Sequence, residues 1–594
     1  IATNIIEKST FGDDRFEYKA KSLYNIANNE IQFFSKTQGV FNKAFLNSLS
    51  FTSKLKKNLS VRGVVYLAND EQKQNSSTIT KYNLENNPIS FTEDNFYVNK
   101  KTLASTEIEL KYSPNDKNYI TNFFIFKNNP NKTANNLLFN TDIINQNSNS
   151  ENYTIYNHFN HTLQLTEKTV LNNYFYIGND KINEKSKISS PFLNSFLSLD
   201  TNQIINQNAN NKLFYIGNKS KVISKFRKID LTNTVQFEYS NEQFKNDFIA
   251  NNQIIETYQN NANLKILNLF QENTLRYNFS KKIDLTANLN FQNTQFNNNT
   301  FSTNLFLINP SIYFNIKKTG FGNFSFSFSE NNSLPEINQL TTNFQLTDYR
   351  SFLQGTTLQK PLKNQTTGLN YSYYNDEKRF SINTNIFYSN SKSILNTSSN
   401  LTSDFNFNSY IQTKGNESYN FNFSLVNYSR KLKLASKIET LNNWITSPLN
   451  VNSTEFSNAK SYSNSIKYSA TTYFKSKINF DFGFSYNYFQ SNFQSIKTTN
   501  TTKDAFLNIN YKVSKTILAE SNNSLYYVNN KNYSFNNVVL SYTPLDSKFS
   551  YRLILNNLVN ENQYTYILIN NYSYYQSIIQ LVPRYVLGTI KYRF

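Results

Sequence analysis

Apolar and polar residues alternate along this chain in runs too regular for chance. In KINFDFGFSYNYF, residues 477–489, Ile478, Phe480, Phe482, Phe484 and Tyr486 fall on one phase, and Asn479, Asp481 and Ser485 on the other. A strand sends successive side chains to opposite faces, so such a run has one apolar and one polar face. RFEYKAKSLY (15–24), KIDLTANLNF (282–291), RFSINTNIFY (379–388), YNFNFSLVNY (419–428) and AFLNINYKV (505–513) repeat the pattern, and FGNFSFSFS (321–329) sets Phe324, Phe326 and Phe328 against serine and asparagine. No stretch of comparable length has helical spacing with helix caps.

Between the runs lie turn signals. NDEK (375–378), GNE (415–417) and NNKN (529–532) read as tight hairpin turns. Longer polar stretches near 69–104, 128–151, 179–208, 331–362, 443–457 and 560–581 read as loops. The pattern predicts an all-β fold: a transmembrane antiparallel β-barrel of about 22 strands, within a range of roughly 22 to 26, with short periplasmic turns and long extracellular loops. The apolar phase, with Ile478, Phe480, Phe482, Phe484, Tyr486, Phe324, Phe326 and Phe328, would face lipid; Asn479, Asp481 and Ser485 would face the lumen. Residues 1–14 read as a lead-in and 15–594 as one barrel domain, with no linker or composition break.

Composition agrees with strands that are wet on one side and oily on the other. Hydrophobic residues are only 38 % of the 594, yet there are 52 Phe and 42 Tyr. A disordered chain lacks such aromatics. No segment approaches the roughly 18–20 apolar residues of a spanning helix, while a barrel strand needs only about 9–11, alternately apolar. A mean hydropathy of −0.59 is compatible with that design. The chain opens on Ile1 with no Met, so a processed or partial chain is expected.

The net charge is +20. The cations are spread along the whole length; the densest runs, SKLKK (53–57) and SRKLKLASK (429–437), form no nucleic-acid module. Nucleic acid is therefore not an expected partner; a basic lumen, or basic rims facing anionic lipid, is the reading kept. With no Cys, disulfides and thiolate chemistry are excluded. His158 and His161, at i and i+3, fall on opposite faces of a strand and cannot share a metal without a bend. Acidic pairs sit at turns, and no nucleophile motif or phosphate-cradling loop is visible. Neither a catalytic site nor a cofactor is expected. Trp444, the sole tryptophan, reads as a membrane-interface anchor.

The C-terminal run PRYVLGTIKYRF (583–594) ends on an aromatic residue. Tyr592 and Phe594 read as the barrel-assembly signal shared by bacterial outer-membrane barrels, with Lys591 and Arg593 on the lumen phase. Together with RLILNNLVNENQY (552–564), the run resembles the closing strands of TonB-dependent receptors of Bacteroidetes type. SLPEINQLTTNFQLTDYRSFLQGTTLQKPLKNQTTGLNYSYY (333–374) is similar to the loop "P-x-I-x-Q-L … G-N-P-x-L-K-P-E" before a strand in that group; Gly355, Leu358, Lys360 and Pro361 match, whereas the Asn-Pro and the final Glu do not. DRFEYKAKSLYNIANNEIQFFSKTQG (14–39) resembles the first barrel hairpin of the subgroup with a carboxypeptidase-regulatory-like domain. The resemblance implies a plug filling the lumen and a TonB-contacting segment, neither found in this sequence. A separate plug, a partner or the barrel's own folded-in loops must then occupy the bore. It also implies outer-membrane lipid and lipopolysaccharide as surroundings, and a surface lipoprotein, TonB and other outer-membrane proteins as partners. Two functions stay open: uptake of a large or scarce nutrient such as a glycan, peptide or metal chelate, and a structural subunit of an outer-membrane complex.

Overall fold

The computed structural model describes residues 20, 23, 36–84, 88–200, 203–299, 301–357, 360–528 and 530–593. Almost all of them belong to one antiparallel sheet that curls into a barrel. Consecutive strands pair as hairpins around the wall, from Phe41–Lys56 with Leu59–Tyr82 to Phe549–Asn556 with Tyr585–Tyr592. Ser573–Gln580 pairs with residues 76–82 of Leu59–Tyr82, and its hairpin partner Gln563–Ile569 pairs with no further strand among the described residues. No ladder joins Phe41–Lys56 to Tyr585–Tyr592 among the described residues, so these two strands are the edges of the curled sheet.

The thirty strand segments exceed the expected number because some staves are interrupted. Asn118–Asn128 and Asn131–Phe139 both pair with Ile89–Asn115 and follow one another down the same wall position. Asn406–Thr413 and Glu417–Ser429 do the same along Phe380–Leu401. GNE (415–417) therefore falls at a break within one stave, and the hairpin turn expected there is absent. The NDEK turn lies where expected, between Leu362–Asn375 and Phe380–Leu401.

Most of the stretches read as loops are strands. Residues 69–82 and 89–104 belong to Leu59–Tyr82 and Ile89–Asn115, the second 27 residues long. Stretches 128–151 and 560–581 likewise hold Asn131–Phe139, Gln563–Ile569 and Ser573–Gln580. These segments carry polar groups on both faces, so they show no two-beat apolar signal. What holds them is the backbone ladder plus short amide and hydroxyl pairs: Asn135 Nδ2 donates to Asn95 Oδ1 at 2.8 Å, Asn210 Nδ2 to Asn183 Oδ1 at 2.7 Å and Thr102 Oγ1 to Asn69 Oδ1 at 2.8 Å. At ~3.3 Å per residue such strands rise far above any bilayer.

One rim carries only short turns. The opposite rim carries the long excursions, but also two-residue turns after Phe139, Ala250 and Phe493. Asn140, Asn251, Asn252 and Gln494 supply the positive φ those turns need. The strand expected over 15–24 falls mostly outside the described residues; Ala20 and Leu23, the two described, are not in a strand. The first described strand is Phe41–Lys56.

The outward face is apolar and exposed. Phe484 is 54 % exposed, with Ile478, Tyr486, Phe324 and Phe326 also exposed; Phe480, Phe482 and Phe328 are half-buried among their neighbours. On the other phase Asp481 accepts from Thr471 Oγ1 at 3.0 Å and from Asn508 Nδ2 at 3.3 Å. Ser485 donates to Asp504, and Asn479 accepts from the Phe474 N–H at 2.6 Å. Tyr388, Tyr419, Trp444 and Tyr462 are register partners on four successive staves, and Trp444 stacks on Tyr462 at 5.2 Å. A second aromatic row, with Tyr542, Tyr551, Phe549 and Tyr592, borders the short-turn rim. From Trp444 down its strand to Leu434 is about 33 Å, roughly 25 Å of height at a ~40° tilt, the thickness of a bilayer's apolar band.

Placing a charge on that outward face tests the assignment. Phe484→Arg is expected to lower barrel stability by about 2–4 kcal/mol, and Ser485→Arg by less than ~1 kcal/mol, read from urea unfolding midpoints in detergent or liposomes.

Candidate functional site

The bore narrows to a sealed mouth at the long-loop rim. Residues 334–361, joining Gly322–Ser333 to Leu362–Asn375, turn inward and cross it as a lid. The lid's spaced apolar residues are not left to solvent. It places Leu346, Tyr349 and Phe352 in one cluster with Phe91, Phe139, Leu193, Phe248, Phe405 and Phe493. Those partners come from the staves at 89–115, 131–139, 229–250 and 478–493, from the short helix at 191–196 and from the turn at 402–405, so the cluster reaches across the opening. Phe352 and Phe407 stack at 4.9 Å, and Phe196 of the short helix Pro191–Phe196 packs on Phe405 at 4.8 Å.

Local chemistry shapes the lid. Glu336 and Gln339 form a reciprocal capping box around the single turn Ile337–Gln339. Asp348 Oδ1 accepts from the N–H groups of Arg350 and Ser351 at 2.9 and 2.8 Å, reversing the chain. Gln345–Leu346 then pairs with Ser351–Gln354, which runs parallel to Asn406–Thr413 on the wall.

Three wall amides clamp lid peptides in both directions. Asn260 donates to the Asn343 carbonyl at 3.1 Å and accepts from its N–H at 3.0 Å. Gln207 does the same with Leu346, at 2.8 and 3.3 Å. Gln412 does so with Lys360, accepting at 3.1 Å and donating at 2.5 Å. Each clamp satisfies a lid peptide as a neighbouring strand would.

Arg350 closes the latch. Its guanidinium lies 3.9 Å over the Phe91 ring and donates to the Thr402 and Ser403 carbonyls at 3.4 and 3.1 Å. It is 5 % exposed, and its Nε and Nη1 have no partner. Next to it the Tyr349 hydroxyl donates to Glu93 Oε1 at 2.5 Å. Burial raises Glu93 above the ordinary carboxylate range, against the opposing pull of the Tyr349 hydrogen bond and of Arg350; Asp348 adds to the rise. Burial likewise raises the Tyr349 phenol.

A second element narrows the mouth. The hairpin Gln563–Ile569 with Ser573–Gln580 leaves the wall and lies over inward-facing Tyr533 and Phe535, packing Tyr564 and Tyr566 on them. At its tip Asn571 accepts from Ser491 Oγ at 2.5 Å. Deeper in the bore is an aromatic nest of Phe123, Tyr156, Tyr176 and Tyr215, against which Ala20 is buried. Tyr176 and Tyr215 lie flat over Gly217 and Gly178 of the facing strand; a Cβ there would sit 2.3 and 2.2 Å from the ring atoms. The Leu23 N–H donates to Glu184 Oε2 at 2.7 Å, so Ala20 and Leu23 both lie against the inward face of the wall.

The residues singled out from sequence fall on the wall, away from the lid. Trp444 is 45 % exposed in the outward aromatic row. Tyr592 packs on Phe549 at 4.8 Å; Lys591 and Arg593 are exposed, and Phe594 lies outside the described residues. His158 stacks near Phe123 at 5.4 Å, while His161 pairs with Asn118 at 2.8 Å. No group of three potential metal ligands exists among the described residues. Arg350, Gln207, Asn260 and Gln412 were missed, because a clamp between distant residues has no local spacing. The one available signal was the run of apolar residues in 340–352.

No family model matches this chain, and no curated protein does. Solved structures offer distant likenesses. The siderophore receptor PirA from Pseudomonas aeruginosa is 10 % identical, covering 92 % of this chain and 81 % of its own, with a TM-score of 0.42. The outer membrane transporter YddB from Escherichia coli is 9 % identical over 91 % and 76 %, with a TM-score of 0.48. The ferric yersiniabactin uptake receptor FyuA from Yersinia pestis is 11 % identical over 94 % and 79 %, with a TM-score of 0.49. Likeness at this level carries no argument by itself, and the reading below rests on the geometry.

The raised Glu93 makes lid closure pH-dependent. A carboxyl whose proton affinity is higher in the closed state favours closure below its ordinary range, and that contribution is lost as pH rises through its raised value. Protection of amides 340–354 against hydrogen exchange, corrected for intrinsic rates, is expected to fall as pH rises above that range. Glu93→Gln should flatten the profile, and Arg350→Ala should lower protection at every pH by about 2–3 kcal/mol.

Proposed function

We propose that this chain is the barrel of a TonB-dependent-receptor-like protein of a Gram-negative outer membrane, importing a large or scarce nutrient such as a glycan, peptide or metal chelate. The observation that carries the reading is a wide, polar-walled bore whose outward mouth is shut by the chain's own lid. A pore for free diffusion has no use for such a seal; a receptor that admits selected cargo does. The exposed apolar band between two aromatic rows supports the membrane setting. The resemblance at 333–374 gains physical sense, since Ile337 and Leu340 are buried knobs that hold the lid's root to the wall. Lipopolysaccharide is then the outward lipid neighbour. A plug and TonB-contacting segment, a Bacteroidetes source and the carboxypeptidase-regulatory-like subgroup all belong to this proposal.

One observation favours the second reading, a structural subunit holding surface lipoproteins or other outer-membrane proteins. The tall staves carry Phe96, Leu138 and Ile143 exposed on their outer side, above the apolar band, where lipid does not reach. Such a cluster suits a protein neighbour.

The two readings separate in a planar bilayer. Wild-type protein is expected to conduct little, and deletion of 341–354 to raise single-channel conductance at least tenfold. An equally silent deletion, with the barrel still folded, counts against a gated bore and for the scaffold.

A further inference from the structure

The cations of this chain are not spread evenly once the strands are in place. All but one of the turns at the short-turn rim carry Lys or Arg, among them Lys57, Lys117, Lys168, Lys228, Lys282 and Arg379. The exception, 320–321, directly follows a stave bearing Lys317. The six named are all exposed, and no turn cation joins an ion pair among the described residues. At the opposite rim the turns and loops contain only Arg350, Lys360 and Arg584 as basic residues, with Lys414 in the stave break at 414–416, and Arg350 is buried. The sequence as a whole shows a diffuse charge of +20; the topology collects much of it into a ring at one end.

The ring borders the lower aromatic row, where the apolar band stops. Arg379 lies 4.8 Å over the Tyr428 ring and Lys548 Nζ lies 5.8 Å over Tyr592. The charged ends of these two side chains thus rest against the girdle itself, at the level where the apolar band gives way to headgroups. The turn acids Asp116, Glu167, Asp376, Glu377 and Asp546 are each matched by a cation of their own turn, and the other turns carry cations alone, so the ring as a whole holds 16 Lys and Arg against 5 acids. The ring meets a surface set by the band above it, so its occupant lies in the plane of the headgroups, all around the barrel. A protein partner would call for a patch on one side.

We propose that the short-turn rim is a cationic collar that binds the phosphates of anionic phospholipid headgroups in the leaflet it faces. The collar fixes which way the barrel sits and how deep. It also distinguishes this leaflet's phospholipid from lipopolysaccharide phosphates, which would meet the opposite rim, where the turns hold few cations and the lysines lie on the tall staves. This inference holds whether the barrel transports or only scaffolds.

The test uses the full chain in liposomes, with spin-labelled phosphatidylglycerol and phosphatidylcholine as probes of the lipid shell. Wild type is expected to enrich phosphatidylglycerol about threefold at low salt, with the preference falling toward unity at 0.5 M salt by screening. Replacing Lys57, Lys117, Lys168, Lys228 and Lys282 by Gln should bring the low-salt ratio near unity. Replacing Lys81, Lys100 and Lys132 on the tall staves should leave it unchanged. A wild-type ratio near unity, an unchanged ratio in the five-site variant, or an equal loss in the control overturns the collar. Should the five-site variant not assemble, K281Q/K282Q is measured the same way and must lower the ratio part-way.

Discussion

Every other feature of this molecule rests on pairing backbone groups along one curled wall. A continuous ladder satisfies the backbone inside a bilayer, and its two faces can then differ completely. The outward face carries Phe484, Tyr486, Trp444 and their like; the inward face carries Asp481, Asn508 and Ser485. The ladder that solves the backbone problem creates another, since a wall of so many staves encloses water unless something fills it.

The chain fills the mouth with material that is not part of the wall. Lid, short helix and inward hairpin build a hydrophobic core from residues hundreds of positions apart, such as Phe91, Phe352 and Phe493. Apolar contacts close the opening, and amide clamps at Gln207, Asn260 and Gln412 fix the lid's position. The latch at Arg350 is incomplete: part of its guanidinium is buried without partners, which costs free energy. A seal with such a fault at its centre is easier to release than one of apolar contacts alone.

The barrel was legible because it is written locally, in alternation. Runs such as 477–489 and 321–329 announce both period and face. The tall upper staves were not legible, because at 69–82 or 142–153 both faces meet water or polar neighbours and the apolar beat vanishes. Their strands rest on ladder hydrogen bonds and Asn, Ser and Thr pairs, which composition reads as loop. The break at 414–416 was mistaken for a hairpin because a polar Gly-containing interruption looks the same in either role. The lid's segment was legible only as a resemblance, and by composition it read as a polar loop. Its clamps were not, since Gln207 and Leu346 are joined only by the fold. The gathering of cations at one rim was hidden too, because turns alternate between rims and only the topology sorts them.

The single tryptophan gives the most direct test of the two-faced wall. Trp444 sits at the upper border of the apolar band, pointing out. In vesicles made with lipids brominated at different chain depths, its fluorescence should be quenched most by bromines nearest the headgroup and progressively less toward the bilayer centre. Fluorescence unaffected by brominated lipid, but quenched freely by aqueous iodide, would mean that the aromatic face does not touch acyl chains and would contradict the account.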